Sequence, residues 1–224
     1  MALIGISLCL GLSLFYVSSL YVWDIKLPRD DPSVIKRRTI SVLFSTVVCI
    51  FATQKYTNMP FQIPPIRWDH VFSTTGQILI LMAGPLVRTV FAGRNFASLT
   101  SGWVFLRNLI VAPVSEEIVF RACFLQILTA SGFSSRIAAV IAPFLFALAH
   151  VHHNWNEASF AMVFMSVAHT CVFGWIAFYF LINKSVWDSI VAHVVCNAIG
   201  LPPIQSRVQL ITYIAGLVTF IVSL

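Results

Sequence analysis

Six side chains in this sequence carry chemistry in a pattern that repeats a helical spacing. Glu117, with Glu116 just ahead of it, is followed four residues later by Arg121, Phe146 is followed four later by His150, and His193 is followed four later by Asn197. On a helix Glu117 and Arg121 share a face with the acid towards the N-terminus, the favourable order for a charge pair. Glu116 lies about 100° round from Glu117 and faces elsewhere. Arg121 is therefore expected to neutralise Glu117 and hold it still, leaving Glu116 to face whatever the helix encloses. His193 and Asn197 stand on one face and can present two donors to a single oxygen, the layout of an oxyanion hole. A carboxylate and an imidazole can hold and deprotonate a water, so Glu116 with His150 reads as a general-base pair for water attack on a carbonyl. No Gly-x-Ser-x-Gly is present, and Cys196 falls on a different face from His193 and Asn197, which leaves water as the simplest nucleophile. A zinc reading uses the same atoms, with Glu116, His150 and His193 as three ligands and an open fourth position. It lacks a His-Glu-x-x-His signature and stays open as the alternative to a cofactor-free site.

These groups sit inside apolar runs, and that dictates the elements that must carry them. Of 224 residues, 58% are hydrophobic and 10% charged, with a mean hydropathy of +0.88. An ionisable side chain at membrane depth costs several kcal/mol, so it needs a partner or a wet cavity and marks a functional site by default. The composition implies an all-α, polytopic bundle of about eight membrane helices and a single integral-membrane domain over residues 1–224. The expected helices cover residues 3–23, 39–52, 71–91, 103–131, 135–150, 158–182, 186–200 and 208–224. Gly84-Pro85 should kink the third and Pro113 should bend or divide the fourth just before Glu116. Ser131-Gly132 should end the fourth, and Pro202-Pro203 should stop the seventh.

The net charge of +6 comes mostly from Lys and Arg between the apolar runs. It reports orientation in the bilayer and gives no basic stripe for nucleic acid. Residues 24–38, with Lys26, Arg29, Lys36, Arg37 and Arg38 and the helix breakers Pro28 and Pro32, form the most basic loop and should face the cytoplasm. That orientation puts Glu116, nine residues beyond Arg107, about 13 Å into its helix, at the depth where His150 and His193 arrive from the cytoplasmic ends of theirs. The five cysteines lie in apolar runs with no paired spacing and suggest neither disulfides nor a thiolate zinc site. Arg107 and Asn108 read as residues near the headgroups, and His152 and His153 as interfacial. His169 reads as a packing donor in mid-helix.

The ordered set Glu116-Glu117-x-x-x-Arg121, Phe146-x-x-x-His150 and His193-x-x-x-Asn197 resembles the glutamate-type, or type II, CAAX prenyl endopeptidases within the CAAX-protease and bacteriocin-processing superfamily. The texture Phe120-Arg121-Ala122-Cys123, His150-Val151-His152-His153 and His193-Val194-Val195-Cys196-Asn197 is similar to the eukaryotic, Ras-converting branch, and the detailed match covers about residues 103–203. The resemblance implies hydrolysis of the peptide bond after the prenylated cysteine of a C-terminal Cys-a-a-X protein, releasing three residues. It also implies the endoplasmic reticulum membrane, a cytosol-facing cavity, and farnesylated or geranylgeranylated substrates such as small GTPases. It assigns water activation to Glu116 and His150 and the oxyanion to His193 and Asn197, with Glu117 and Arg121 in support.

Overall fold

The computed structural model describes residues 1–23, 26–91, 102–151, 160–200 and 207–223. Among them all regular structure is helical. In chain order the helices are α1 (Ala2–Ser19), α2 (Pro32–Thr57), α3 (Trp68–Leu81), α4 (Ala83–Phe91), α5 (Gly102–Phe105), α6 (Ala112–Glu117), α7 (Phe124–Ala130), α8 (Ser135–Ala149), α9 (Phe160–Asn183), α10 (Val186–Ile199) and α11 (Arg207–Ser223). Two wider π-helical segments, π1 (Leu106–Val111) and π2 (Ile118–Cys123), join α5, α6 and α7 into one continuous rod. By length and composition, Ala2–Ser19 and Met162–Asn183 are apolar enough to cross a membrane, and α8, α10 and much of α11 are shorter apolar helices.

The rod carries the acidic pair. Pro113 has no N–H to return to the turn before it and its ring crowds that turn's carbonyl. Instead of bending or dividing, the helix widens ahead of the proline into π1, a device common at functional sites. Ser115 Oγ donates back to the Val111 carbonyl at 2.7 Å. The rod stops where the sequence indicates: Ser131 follows the last helical residue and Gly132 takes φ +95°, while the Phe133 amide donates back to the Leu128 carbonyl.

Several expected boundaries move, among them the end of the first helix, at Ser19 and not 23, and of the second, at Thr57 and not 52. Helix α2 begins at Pro32, seven residues before the expected start, because proline suits the first helical position and Asp31 caps it by accepting from the Ser33 amide at 2.8 Å. Lys36, Arg37 and Arg38 therefore ride on a helix and not in a loop, with their cations over the rings of Trp103, Trp23 and Tyr21. The third expected helix breaks at Met82, just ahead of Gly84-Pro85, because Pro85 cannot donate to Leu81. Helix α11 packs into that joint: a Cβ on Gly216 would meet the Ile80 and Leu81 carbonyls at 2.7 and 2.9 Å. His169 is exposed, since its half of α9 faces outward. His152, His153, Pro202 and Pro203 lie outside the described residues.

Packing then fixes the three motif-bearing helices against each other. A core of Phe120, Phe124, Ile127, Phe146 and Phe178, all at most 1% exposed, locks the rod to α8 and α9. A Cβ on Gly174 would stand 2.8 Å from the Pro143 ring, so α9 passes α8 at a distance only glycine allows. Helix α10 is clamped at its first turn: Asp188 accepts from Thr74 Oγ1 at 2.8 Å and from Ser185 Oγ at 2.6 Å. That clamp sets the rotation of the helix that presents His193 one turn further on.

Candidate active site

The three motifs meet. Glu116 Oε2 stands 3.8 Å from His150 Nε2 and 3.9 Å from His193 Nε2. All three residues, with Asn197, line one cavity of about 350 Å³. Cys196 packs away from it against Phe180 and its neighbours, as its helical phase indicates.

Each imidazole is oriented by a bond on its far nitrogen. His150 caps the C-terminus of α8 and donates from Nδ1 to the Phe146 carbonyl at 2.8 Å. The Phe146 ring stacks edge-on against it, centroids 4.3 Å apart. His193 donates from Nδ1 to Glu117 Oε1 at 2.8 Å and packs on Phe173 at 4.8 Å. Because a carbonyl and a carboxylate only accept, both rings carry a proton on Nδ1. Their Nε2 atoms then face Glu116, accepting when the ring is neutral and donating when it is an imidazolium.

Glu117 lies behind this wall, fully buried, and Arg121 is fully buried with it. Arg121 Nε stands 3.2 Å from Glu117 Oε2, the pairing the four-residue spacing predicts. The carboxylate also accepts from Ser189 Oγ and from His193, so it joins the rod to α10. The guanidinium lies over the Phe146 ring at 3.8 Å, and its nitrogens have no hydrogen-bond partner among the described residues. Phe146 thus seats His150 on one side and Arg121 on the other.

Sequence reasoning missed several contributors. Ser189 lies one turn before His193 on the same face, so Ser-x-x-x-His-x-x-x-Asn was visible as a stripe. Asn108 and Arg107, expected only near the headgroups, line the cavity. The Asn108 carbonyl accepts from Asn197 Nδ2 at 2.9 Å and thereby orients that amide. Asn108 and Glu116 are eight residues apart, two turns along one face, which was the available signal. Tyr16 of α1 also lines the cavity, its hydroxyl 2.8 Å from Ser115 Oγ. Among the described residues no group of three or more His, Cys, Asp or Glu side chains is arranged to hold a metal ion.

Residues 98–199 match the family described as type II CAAX prenyl endopeptidase Rce1-like. The chain is 32% identical over 237 residues to human CAAX prenyl protease 2, covering 90% of this chain and 72% of that protein. It is 30% identical over 215 residues to a probable CAAX prenyl protease 2 of Schizosaccharomyces pombe, covering 86% of this chain and 79% of that protein. It is 27% identical over 278 residues to CAAX prenyl protease 2 of Arabidopsis thaliana, covering 99% and 88%. No solved structure matches. The chain belongs to the Rce1-like family of type II CAAX prenyl endopeptidases and is a peptide hydrolase.

Proposed function

We propose that this enzyme removes the last three residues of prenylated Cys-a-a-X proteins, cutting after the prenylcysteine with a water activated by Glu116 and His150. The observation that carries the reading is the meeting of one carboxylate and two imidazoles from three helices on the wall of one cavity. A water 2.8 Å from Glu116 Oε2 and from either Nε2 would subtend roughly 85–90° at its oxygen, a workable hydrogen-bonding angle. As that oxygen bonds to the carbonyl carbon, its proton passes to Glu116. The carbonyl oxygen becomes an oxyanion facing His193 and Asn197. For His193 to donate from Nε2 it must hold both ring protons, the one on Nδ1 being held by the Glu117 carboxylate. When the tetrahedral intermediate collapses, the C–N bond breaks and the proton is delivered to the leaving nitrogen. The products are a prenylcysteine carboxylate and a free tripeptide.

The substrate's chemistry fits the location. A farnesyl or geranylgeranyl chain partitions into lipid while the attached polypeptide, a small GTPase for example, stays in the cytosol. The scissile bond must then meet catalytic groups just below the cytoplasmic interface. The reading places a single domain of about eight crossings in the endoplasmic reticulum membrane, the cavity facing the cytosol, with the bilayer as its other partner. The site works without a metal or other cofactor. Purified protein incubated with a farnesylated Cys-a-a-X peptide should release the intact tripeptide, identified by mass; cleavage elsewhere or none would overturn the assignment.

A further inference from the structure

We infer that Arg29, Arg38 and Arg107 at the rim of the cavity hold the C-terminal carboxylate of the peptide being cut, so that the enzyme measures its cut from the free chain end. The inference rests on the peptidase reading of the site and concerns what positions the substrate in it.

All three arginines line the same cavity as Glu116, His150 and His193. Arg107 is braced: Nε donates to Asn108 Oδ1 at 2.8 Å, and Nη1 donates to Asp30 at 2.8 Å and to the Arg29 carbonyl at 3.1 Å. Asp30 is mostly exposed and well screened. Arg38 Nε is buried and has no hydrogen-bond partner among the described residues. A buried charged donor left unpaired is costly, and an incoming anion would satisfy it. Arg29 is exposed overall, but its charged end is held below its ordinary value first by partial desolvation, then by the neighbouring Arg107 and Arg38 charges. Three guanidinium groups so placed make a field that favours an anion, and their planar forks match a carboxylate.

The spacing selects the anion. Arg107 and Glu116 are nine residues apart on one rod, at most about 13 Å along its axis. Three extended residues span about 10 Å, and a charge-assisted contact adds about 2.8 Å. A peptide whose scissile carbonyl sits at Glu116 therefore brings its terminal carboxylate to the arginines when three residues follow the cut. A shorter tail would fall short of the rim, and a longer one would carry its carboxylate past it.

The test compares two farnesylated peptides of one sequence, one with a free C-terminal carboxylate and one ending in a carboxamide. Cleavage is measured as kcat/KM for the parent, Arg38→Gln, Arg38→Lys and Arg29→Gln. Binding is measured by fluorescence anisotropy on a Glu116→Gln background, where hydrolysis is not needed. The parent should prefer the acid by about 10–100-fold, the worth of one or two charge-assisted bonds. Arg38→Gln should bring the preference to within about threefold through KM, and Arg38→Lys, which keeps the charge without the fork, should restore part of it. Equal treatment of acid and amide by the parent, or variants that depress both peptides alike, would overturn the inference. If the parent cut neither peptide while the Glu116→Gln protein bound the acid in preference through Arg38, the carboxylate anchor would stand and the peptidase mechanism would fall.

Discussion

Glu117 and Arg121 should be separable into a stability partner and a rate partner, and the structure sets the size of each effect. In Glu117→Gln the Arg121 guanidinium would lose its paired counter-charge while its nitrogens have no hydrogen-bond partner among the described residues to fall back on. Breaking a fully buried ion pair from one side costs about 3–5 kcal/mol, a large share of a typical domain's stability of about 5–15 kcal/mol. Arg121→Met should cost less, about 1–3 kcal/mol, because Glu117 keeps Ser189 and His193. In the double variant Glu117→Gln/Arg121→Met no unpaired charge stays buried, so most of the loss should return and the two changes should be strongly non-additive. Activity should not return with it. The Gln amide can still accept from His193 Nδ1, but as a neutral acceptor it holds the ring less firmly towards the oxyanion, and loss of one such donor costs about 10²–10³ in kcat. Thermal unfolding in detergent and tripeptide release from a farnesylated peptide read the two quantities on the same samples. A double variant as active as the parent would remove Glu117 from the mechanism, and additive stability losses would refute the buried-pair argument.

Asn197→Ala removes a donor from the oxyanion position and takes the side-chain donor from the Asn108 carbonyl; kcat should fall about 10²–10³-fold with KM little changed, measured by steady-state kinetics. Chelator treatment followed by dialysis should leave hydrolysis intact, whereas inactivation reversed by added zinc would favour the three-ligand metal alternative. The Asp31 carboxyl is held below the ordinary range by the Ser33 hydroxyl and then by the Ser33 amide. A depressed folded value contributes stability that is present above the unfolded value, near 3.9, and is lost as pH falls through the lower folded one. The melting difference between the parent and Asp31→Ala should therefore be flat from neutral pH down to about pH 5 and shrink below about pH 4.

The residues that converge were legible because each motif repeats a helical spacing within an apolar run. Arg121 beside Glu117 followed from spacing alone. What did not follow were contacts between helices, since the bond from Glu117 to His193 depends on how α10 is rotated against the rod, and the Asp188 clamp and aromatic core set that rotation. Arg107 and Asn108 escaped notice because an arginine near a helix start reads as a topology signal whether or not it also faces a cavity. The early start of α2 was hidden by Pro32, a helix breaker in an interior but favoured at the first helical position. The widening of the rod at Pro113 was hidden for a related reason: a proline predicts a disturbed ladder without saying whether the helix bends or opens.

The central claim is that Glu116 activates the attacking water, and single-turnover cleavage of a farnesylated Cys-a-a-X peptide by Glu116→Gln tests it most directly. The side chain is partly exposed on the cavity wall, so the substitution should leave the fold unchanged while keeping nearly the same shape. The account predicts peptide binding close to the parent's and a cleavage rate lower by about 10³-fold or more. A rate within about tenfold of the parent's would contradict it.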